Sequence, residues 1–138
     1  MVNSDTFKKR IADLIYKMGL EDIPEVDIDS SAIEHGSCKF IVIAGPEDKR
    51  YLYARAYLTF HNGVFNVFKE DVSIKGVEPS LFHCIGGGKM TIQQDEKKIR
   101  AYGTSINFGK FDVNVVRILL ESYVKRERFF NGFSIQVE

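Results

Sequence analysis

The sequence predicts a single α/β domain, and three observations support this. The chain has 138 residues, the usual size of one domain, and no linker or internal repeat divides it. Hydrophobic residues make up 44% and charged residues 28%, a mixture typical of a globular protein with a sizeable core. Segments with helical periodicity alternate with segments of strand-like alternation, so both kinds of element are expected.

Two helices are predicted from periodicity. Residues 3–19 offer N-cap residues at their start and Gly19 as the expected stop. Residues 111–126 form the clearest helix, and basic residues follow at its C-terminal end, where the helix dipole favours cations. The residues that share one side are Phe7, Ile11, Leu14, Ile15 and Met18 in the first helix, and Phe111, Val115, Ile118, Leu119 and Ser122 in the second.

The first helix has a narrow apolar stripe, and its role is open at this point. An arm docked on the domain is the plain interpretation. A helix that binds a partner and a transit peptide are the alternatives, and Asp5 and Asp13 count against transit.

Strands are predicted through the rest of the chain. Val26 and Ile28 alternate with acidic residues, which indicates an edge strand, whereas residues 39–44 have β-branched side chains on both faces and indicate a central strand. Residues 45–48 form a turn. Residues 51–60 predict a long alternating strand, and His61 continues the face shared by Tyr53, Arg55, Tyr57 and Thr59. The other predicted strands are 89–93, 98–101 and a terminal strand through Phe133, Ile135 and Val137.

The segment after His61 is ambiguous. Residues 61–63 are typical of a hairpin turn, and the Val and Phe content beyond them favours a strand. Val64, Val67, Phe68 and Val72 nevertheless have the spacing of a helix that Gly76 would end. Local patterns leave both alternatives open.

Charge and composition exclude several functional classes. Nineteen basic residues balance nineteen acidic ones, so neither nucleic acid nor a membrane surface is an expected partner. No apolar run reaches the roughly 18 residues of a membrane helix, and no secretory signal is visible, so we expect a cytoplasmic protein. Cys38 and Cys84 are expected to be reduced thiols, because no CxxC motif indicates a zinc site or a redox pair.

Two features carry chemistry. The three glycines before Lys89 lack the early Gly and the following Ser or Thr of a nucleotide-binding loop, so they predict a tight turn or a close backbone approach. None of the three histidines, His35, His61 and His83, has a metal-binding spacing. His61 is the best catalytic candidate, because a helix N-terminus after it would bind phosphate and keep the imidazole neutral, as a general base requires.

The motifs around these glycines resemble the small phosphohistidine phosphatases of the janus/ocnus family. The most specific block runs from Cys84 to Ser105 without a gap, and the resemblance covers about residues 23 to 125. The matching segments are 84–90 (CIGGGKM), 95–105 (DEKKIRAYGTS), 24–30 (PEVDIDS), 39–40 (KF) and 57–61 (YLTFH).

The resemblance implies a mixed β-sheet with a helix on each face, and a helix that begins just after His61. Residues 1–20 would then be an N-terminal helical extension and residues 21–138 a phosphohistidine phosphatase-like domain. The implied activity is hydrolysis of the P–N bond of phosphohistidine-containing proteins, with no metal and no cofactor. We expect a monomer.

Site residues follow from the same resemblance. His61 would be the general base and Lys39 would bind phosphate. Ser105, Ile106 and Asn107 would form an anion-binding loop, and the backbone N–H of Asn62 would lie at the helix N-terminus. Lys89 would also contact the phosphate, but it stands where the family has Arg, and lysine cannot make the bidentate contact of a guanidinium with phosphate oxygens.

Two departures from the family pattern keep an alternative open. Residues 62–63 (NG) are a poor helix start, and Lys89 replaces Arg, so a non-catalytic phosphoprotein-binding module is the second hypothesis. Arg55 would lie roughly 20 Å from His61 on a straight strand, so we do not expect it in the site unless the strand bends.

Overall fold

The computed structural model describes residues 4–138, and those residues form four α-helices and six strands. Asn3, the first residue of the predicted N-terminal helix, lies outside the described residues. The helices are α1 (Ser4–Glu21), α2 (Ser30–His35), α3 (His61–Ile74) and α4 (Val113–Arg126). The strands are β1 (Val26–Ile28), β2 (Ser37–Ala44), β3 (Arg50–Arg55), β4 (His83–Gln93), β5 (Lys98–Tyr102) and β6 (Ser134–Val137).

One six-stranded sheet has the order β1-β3-β2-β4-β5-β6. The pairs β1–β3 and β5–β6 are parallel and the remaining pairs are antiparallel, so the sheet is mixed. The predicted edge position of β1 and central position of β2 are both confirmed. The α/β class with a mixed sheet is likewise confirmed.

Alternating residues of β2 divide the core between the two faces of the sheet. Phe40 and Val42 pack in one cluster with residues of α2 and α4. Ile41 and Ile43 pack in a second cluster with residues of α3 and the end of α1. Because successive side chains of a strand point to opposite faces, these two clusters confirm a helix on each face of the sheet.

The ambiguous segment after His61 is a helix, as the family resemblance implied. Val64, Phe68 and Val72 of α3 are buried against the sheet, and Gly76 ends the segment in the left-handed conformation with φ 80°. Burial of this apolar stripe outweighs the weak local preference of Val and Phe for strands.

The predicted long strand over 51–60 is wrong in its second half. Strand β3 ends at Arg55, and Tyr57 has φ 66°, a conformation that extended backbone cannot accommodate. The chain leaves the plane of the sheet there so that α3 can begin on one of its faces. The straight-strand distance between Arg55 and His61 therefore does not apply.

Other boundaries differ because of tertiary packing. Helix α1 continues past Gly19, where a Cβ would lie 2.4 Å from the Lys75 carbonyl oxygen, so the glycine permits close approach instead of ending the helix. Strand β4 begins earlier than predicted and contains the three glycines. The side predicted for α4 is also wrong, since Ile118 is exposed and the buried residues are Val116, Leu119, Leu120 and Tyr123.

Helix α2 was not predicted, although the sequence contains its caps. The Asp29 carboxylate accepts a hydrogen bond from the Ala32 N–H at 3.0 Å, and Gly36 ends the helix with φ 77°. Only the last turns of α1 pack on the rest of the described chain, through Ile15, Tyr16, Gly19 and Leu20. None of the helices within residues 4–138 is long and apolar enough to cross a membrane.

Candidate active site

Gly87 is the point at which three parts of the candidate site meet. A Cβ placed there would lie 2.9 Å from Cδ2 of His61 and 3.2 Å from Cβ of Ser105. The Gly87 N–H donates to the Gly109 carbonyl at 3.2 Å, which ties the loop after β5 to β4. The predicted close backbone approach is confirmed, and it brings His61 and Ser105 to the same position on β4.

His61 is the first residue of α3 and is only 6% exposed. Its Nε2 lies 2.8 Å from the Gly88 carbonyl oxygen. Because a carbonyl oxygen only accepts, Nε2 carries the hydrogen and the neutral ring keeps its lone pair on Nδ1. The hydrogen bond therefore fixes the tautomer in which Nδ1 is the basic nitrogen.

Burial, which is the largest influence, lowers the pKa of His61 below its usual 6.5. The hydrogen bond to the Gly88 carbonyl acts in the opposite direction, and the positive charges of Lys39 and Lys89 lower the pKa further. The lowered pKa of His61 favours the neutral imidazole near pH 7. Lys89 directly follows Gly88 on β4, and Lys39 is its partner on β2.

Lys39 and Lys89 lie directly opposite each other on β2 and β4. The same row continues to Arg55 on β3 and to Tyr102 on β5. Directly paired residues project from the same face of a sheet with Cβ atoms about 5 Å apart, so the row presents cationic groups on the α3 face. Within residues 4–138, neither lysine forms an ion pair, and both charges are free to attract an anion.

The loop at residues 105–109 is closed by its own hydrogen bonds. The Ser105 N–H donates to the Gly109 carbonyl at 3.2 Å, and the Gly109 N–H donates back at 2.9 Å. The buried Ser105 hydroxyl accepts from the Phe108 N–H at 3.1 Å and keeps its own hydrogen to donate. Ile106 and Asn107 form the exposed tip, where Ile106 is 95% exposed.

Two neighbouring cavities flank the segment before α3. One, of about 300 Å³, is lined by the cationic row together with His35, Tyr57 and Leu58. The other, of about 360 Å³, is lined by Leu58 to Phe60, by Asn62 and Gly63, and by Asn107. Leu58 borders both cavities. The predicted residues are therefore distributed, with Lys39 and Lys89 in the first cavity and Asn62 and Asn107 in the second.

Arg55 lies at the first cavity, contrary to the straight-strand expectation, but its charge is compensated. Its guanidinium donates to the Asp27 carboxylate at 3.0 Å and lies 3.5 Å from Asp29 and 3.9 Å from Asp71. The Tyr53 ring lies beneath it at 3.8 Å, and the Tyr53 hydroxyl donates to Asp71. Arg55 therefore joins β1, α2 and α3, and the free positive charge of the cavity comes from the lysines.

Sequence reasoning missed other residues that line the first cavity. Tyr57 is 75% exposed, and its ring packs edge-on against His35 with centroids 5.1 Å apart. Tyr57 has a left-handed conformation with φ 66°, which nothing in the sequence indicates. Tyr102 belongs to the motif quoted above, but its place in the row depends on the register of β4 with β5.

The arrangement can hold an anion beside a proton acceptor. Two free lysines, a helix N-terminus whose preceding residue Phe60 supplies no side-chain cap, and the Ser105 hydroxyl offer positive charge and donors. His61 offers a neutral imidazole nitrogen. Among the described residues, no group of three His, Cys, Asp or Glu side chains could hold a metal ion. Fold and site together define an α/β domain that can bind an anion beside a neutral imidazole, and that imidazole can accept a proton.

The sequence pattern of the Janus/Ocnus family matches residues 20–127, and the chain belongs to that family. It is 29% identical over 102 residues to the 14 kDa phosphohistidine phosphatase of Sus scrofa, covering 66% of this chain and 75% of that protein. It is 29% identical over 127 residues to the sex-regulated protein janus-A of Drosophila pseudoobscura pseudoobscura, covering 83% of this chain and 80% of that protein. It is also 33% identical over 69 residues to the sex-regulated protein janus-B of Drosophila teissieri, covering 50% of this chain and 47% of that protein.

Proposed function

We propose that this chain is a protein phosphohistidine phosphatase with His61 as its general base. The observation that carries the proposal is a buried, neutral His61 whose Nδ1 keeps its lone pair beside two unpaired lysines. Two relatives named phosphohistidine phosphatase, from Sus scrofa and Homo sapiens, support the reaction class at the level of the family.

The proposed reaction joins water to the phosphoryl group. Nδ1 of His61 takes a proton from the attacking water, whose oxygen forms the new bond to phosphorus. The P–N bond breaks, its electron pair returns to the substrate imidazole, and that nitrogen carries a proton from solvent as it leaves. The products are histidine and inorganic phosphate. Such a transfer mainly requires orientation and charge compensation around the phosphoryl oxygens.

The remaining predicted residues have proposed roles in binding the phosphoryl group. Lys39 and Lys89 compensate its charge, and the Ser105 hydroxyl donates to one oxygen. The backbone N–H groups of Asn62, Ile106 and Asn107 add donors at the start of α3 and at the loop tip. The phosphatase needs no metal or cofactor in this proposal, and it acts as a cytoplasmic monomer.

A non-catalytic phosphoprotein-binding module is the second candidate. Lys89 is a point charge at a position where the family resemblance implies Arg, so the bidentate contact by which Arg would orient a phosphoryl group is absent. The same site could then hold a phosphoprotein without positioning water for attack.

Phosphate release distinguishes the two candidates. The purified chain is mixed with protein substrates carrying phosphohistidine, phospholysine or phosphotyrosine, with a chelator present throughout, and binding is measured in parallel by calorimetry. Turnover of phosphohistidine in chelator supports the phosphatase and its independence from metals. Saturable binding without turnover selects the binding module, and activity abolished by chelator contradicts the metal-free mechanism.

A further inference from the structure

Helix α1 carries an apolar stripe that its own domain does not cover. Phe7, Ile11, Leu14, Ile15 and Met18 are each between 43% and 61% exposed. The residues that contact the rest of the chain are Tyr16, Gly19 and Leu20 near the end of the helix, and Ile15 at the edge of the stripe borders Gly76. Tyr16, Gly19 and Leu20 lie on the other side of the helix, so Phe7, Ile11, Leu14 and Met18 are directed away from the sheet.

The spacing of the stripe is that of a coiled-coil seam. Phe7, Ile11, Leu14 and Met18 are separated by four, three and four residues, which places them at alternating d and a positions of a heptad, and Ile15 falls at an e position beside them. Such a narrow seam fits a second helix better than a flat membrane surface, which favours a wider apolar face. The seam lies outside residues 20–127, the part that matches the family pattern.

The charges beside the seam indicate the chemistry of the partner. Arg10 and Lys17 occupy the two g positions and Lys8 occupies an e position, and these positions set partner choice in coiled coils. An antiparallel pair of copies fits poorly, because matched seams would place Arg10 beside Lys17 of the other copy at both ends. A partner with carboxylates at these positions satisfies every flanking charge.

We propose that α1 binds an acidic amphipathic helix of another protein, packed along the stripe from Phe7 to Met18. This inference is independent of the proposed phosphatase activity, because it involves no residue of the candidate active site. The chain would thus use α1 to recruit a partner while the domain carries the site.

A synthetic 21-residue peptide tests the proposal with the full chain. The probe has Leu or Ile at a and d and Glu at e and g, and it is titrated by fluorescence anisotropy; a matched peptide has Lys at e and g. We expect the acidic peptide to bind and the basic peptide not to bind. Reversal of the seam charges in Arg10→Glu/Lys17→Glu should weaken binding by about tenfold or more.

The control is Lys9→Glu, which reverses one charge at an f position opposite the seam and is compared with the single reversal Arg10→Glu; binding of Lys9→Glu should stay within about twofold of wild type. A second variant, Ile11→Asp/Leu14→Asp, should remove binding by interrupting the seam. Equal binding of both peptides, no binding of the acidic peptide up to millimolar concentration, or an equal effect of Lys9→Glu would overturn the proposal. So would a seam-dependent dimer in sedimentation, or seam-dependent binding only to phosphatidylserine vesicles.

Discussion

Replacing Gly87 with alanine should damage the fold and the candidate site together. The added Cβ would lie 2.7 Å from the Phe40 carbonyl oxygen, 2.9 Å from Cδ2 of His61 and 3.2 Å from Cβ of Ser105. Ordinary carbon–carbon contacts are about 3.5–4.0 Å, so the His61 ring would have to move by about 0.6 Å or more. The Phe40 carbonyl cannot move freely, because it belongs to the central strand β2.

The size of the effect follows from these contacts. Overpacking of this kind costs about 1–3 kcal/mol of unfolding free energy. For a domain of this length the unfolding midpoint should fall by roughly 4–10 °C. A catalytic base displaced by a substantial fraction of an ångström should also slow phosphate release by up to about 100-fold.

Thermal unfolding followed by circular dichroism measures the stability, with Gly63→Ala as the matched control. A Cβ at Gly63 would meet nothing within 4 Å, and alanine favours the first turn of α3 by up to about 1 kcal/mol. The control should therefore unfold at or above the wild-type temperature. Wild-type stability of Gly87→Ala, with the NMR signals of His61 unchanged, would refute the close packing of β4 against His61.

Three further predictions concern charge. The pKa of His61 is lowered in the folded chain, so the unfolded chain binds more protons below about pH 6.5. The free energy of unfolding, measured by urea titration, should therefore fall as the pH drops through that range. The decrease should be smaller in His61→Asn. Burial raises the thiol pKa values to about 12 for Cys38 and about 11 for Cys84, so iodoacetamide at pH 8 should modify both only after denaturation, and rapid native labelling would contradict this. Arg55→Met leaves partly exposed carboxylates unpaired and should lower the free energy of unfolding by about 1–3 kcal/mol in urea titrations. Adding Asp71→Asn to this variant should restore part of that loss. Additive effects of the two substitutions would argue against coupling between Arg55 and Asp71.

The periodic elements of this chain could be predicted from the sequence because their patterns are local. The central position of β2 was predicted from β-branched residues on both of its faces. The close approach at Gly87 was predicted because only glycine leaves room for a neighbouring backbone at such short distances. The helix after His61 could not be settled locally, because the preferences of Val and Phe conflict with their spacing. Burial of Val64 and Phe68 against the sheet decides it.

The candidate site was less predictable, because it depends on register and on one unusual dihedral angle. Nothing local places Lys39 opposite Lys89, since that contact joins two strands fifty residues apart in the chain. The sequence alternation continues beyond Arg55, but the strand ends there and Tyr57 has a left-handed conformation. The predicted strand was therefore too long, and its length led to the wrong expectation for Arg55. The carboxylate partners of Arg55 come from β1, from the N-cap of α2 and from α3, which no sequence spacing shows.

Phosphate release from a phosphohistidine protein by His61→Asn tests the central claim most directly. Asparagine offers no basic nitrogen, and circular dichroism would verify that the variant is folded. The matched control is His83→Ala, an exposed histidine at the start of β4. We predict a loss of at least about 100-fold in turnover for His61→Asn and wild-type turnover for His83→Ala. Wild-type turnover in a folded His61→Asn variant would contradict the role of His61 as general base.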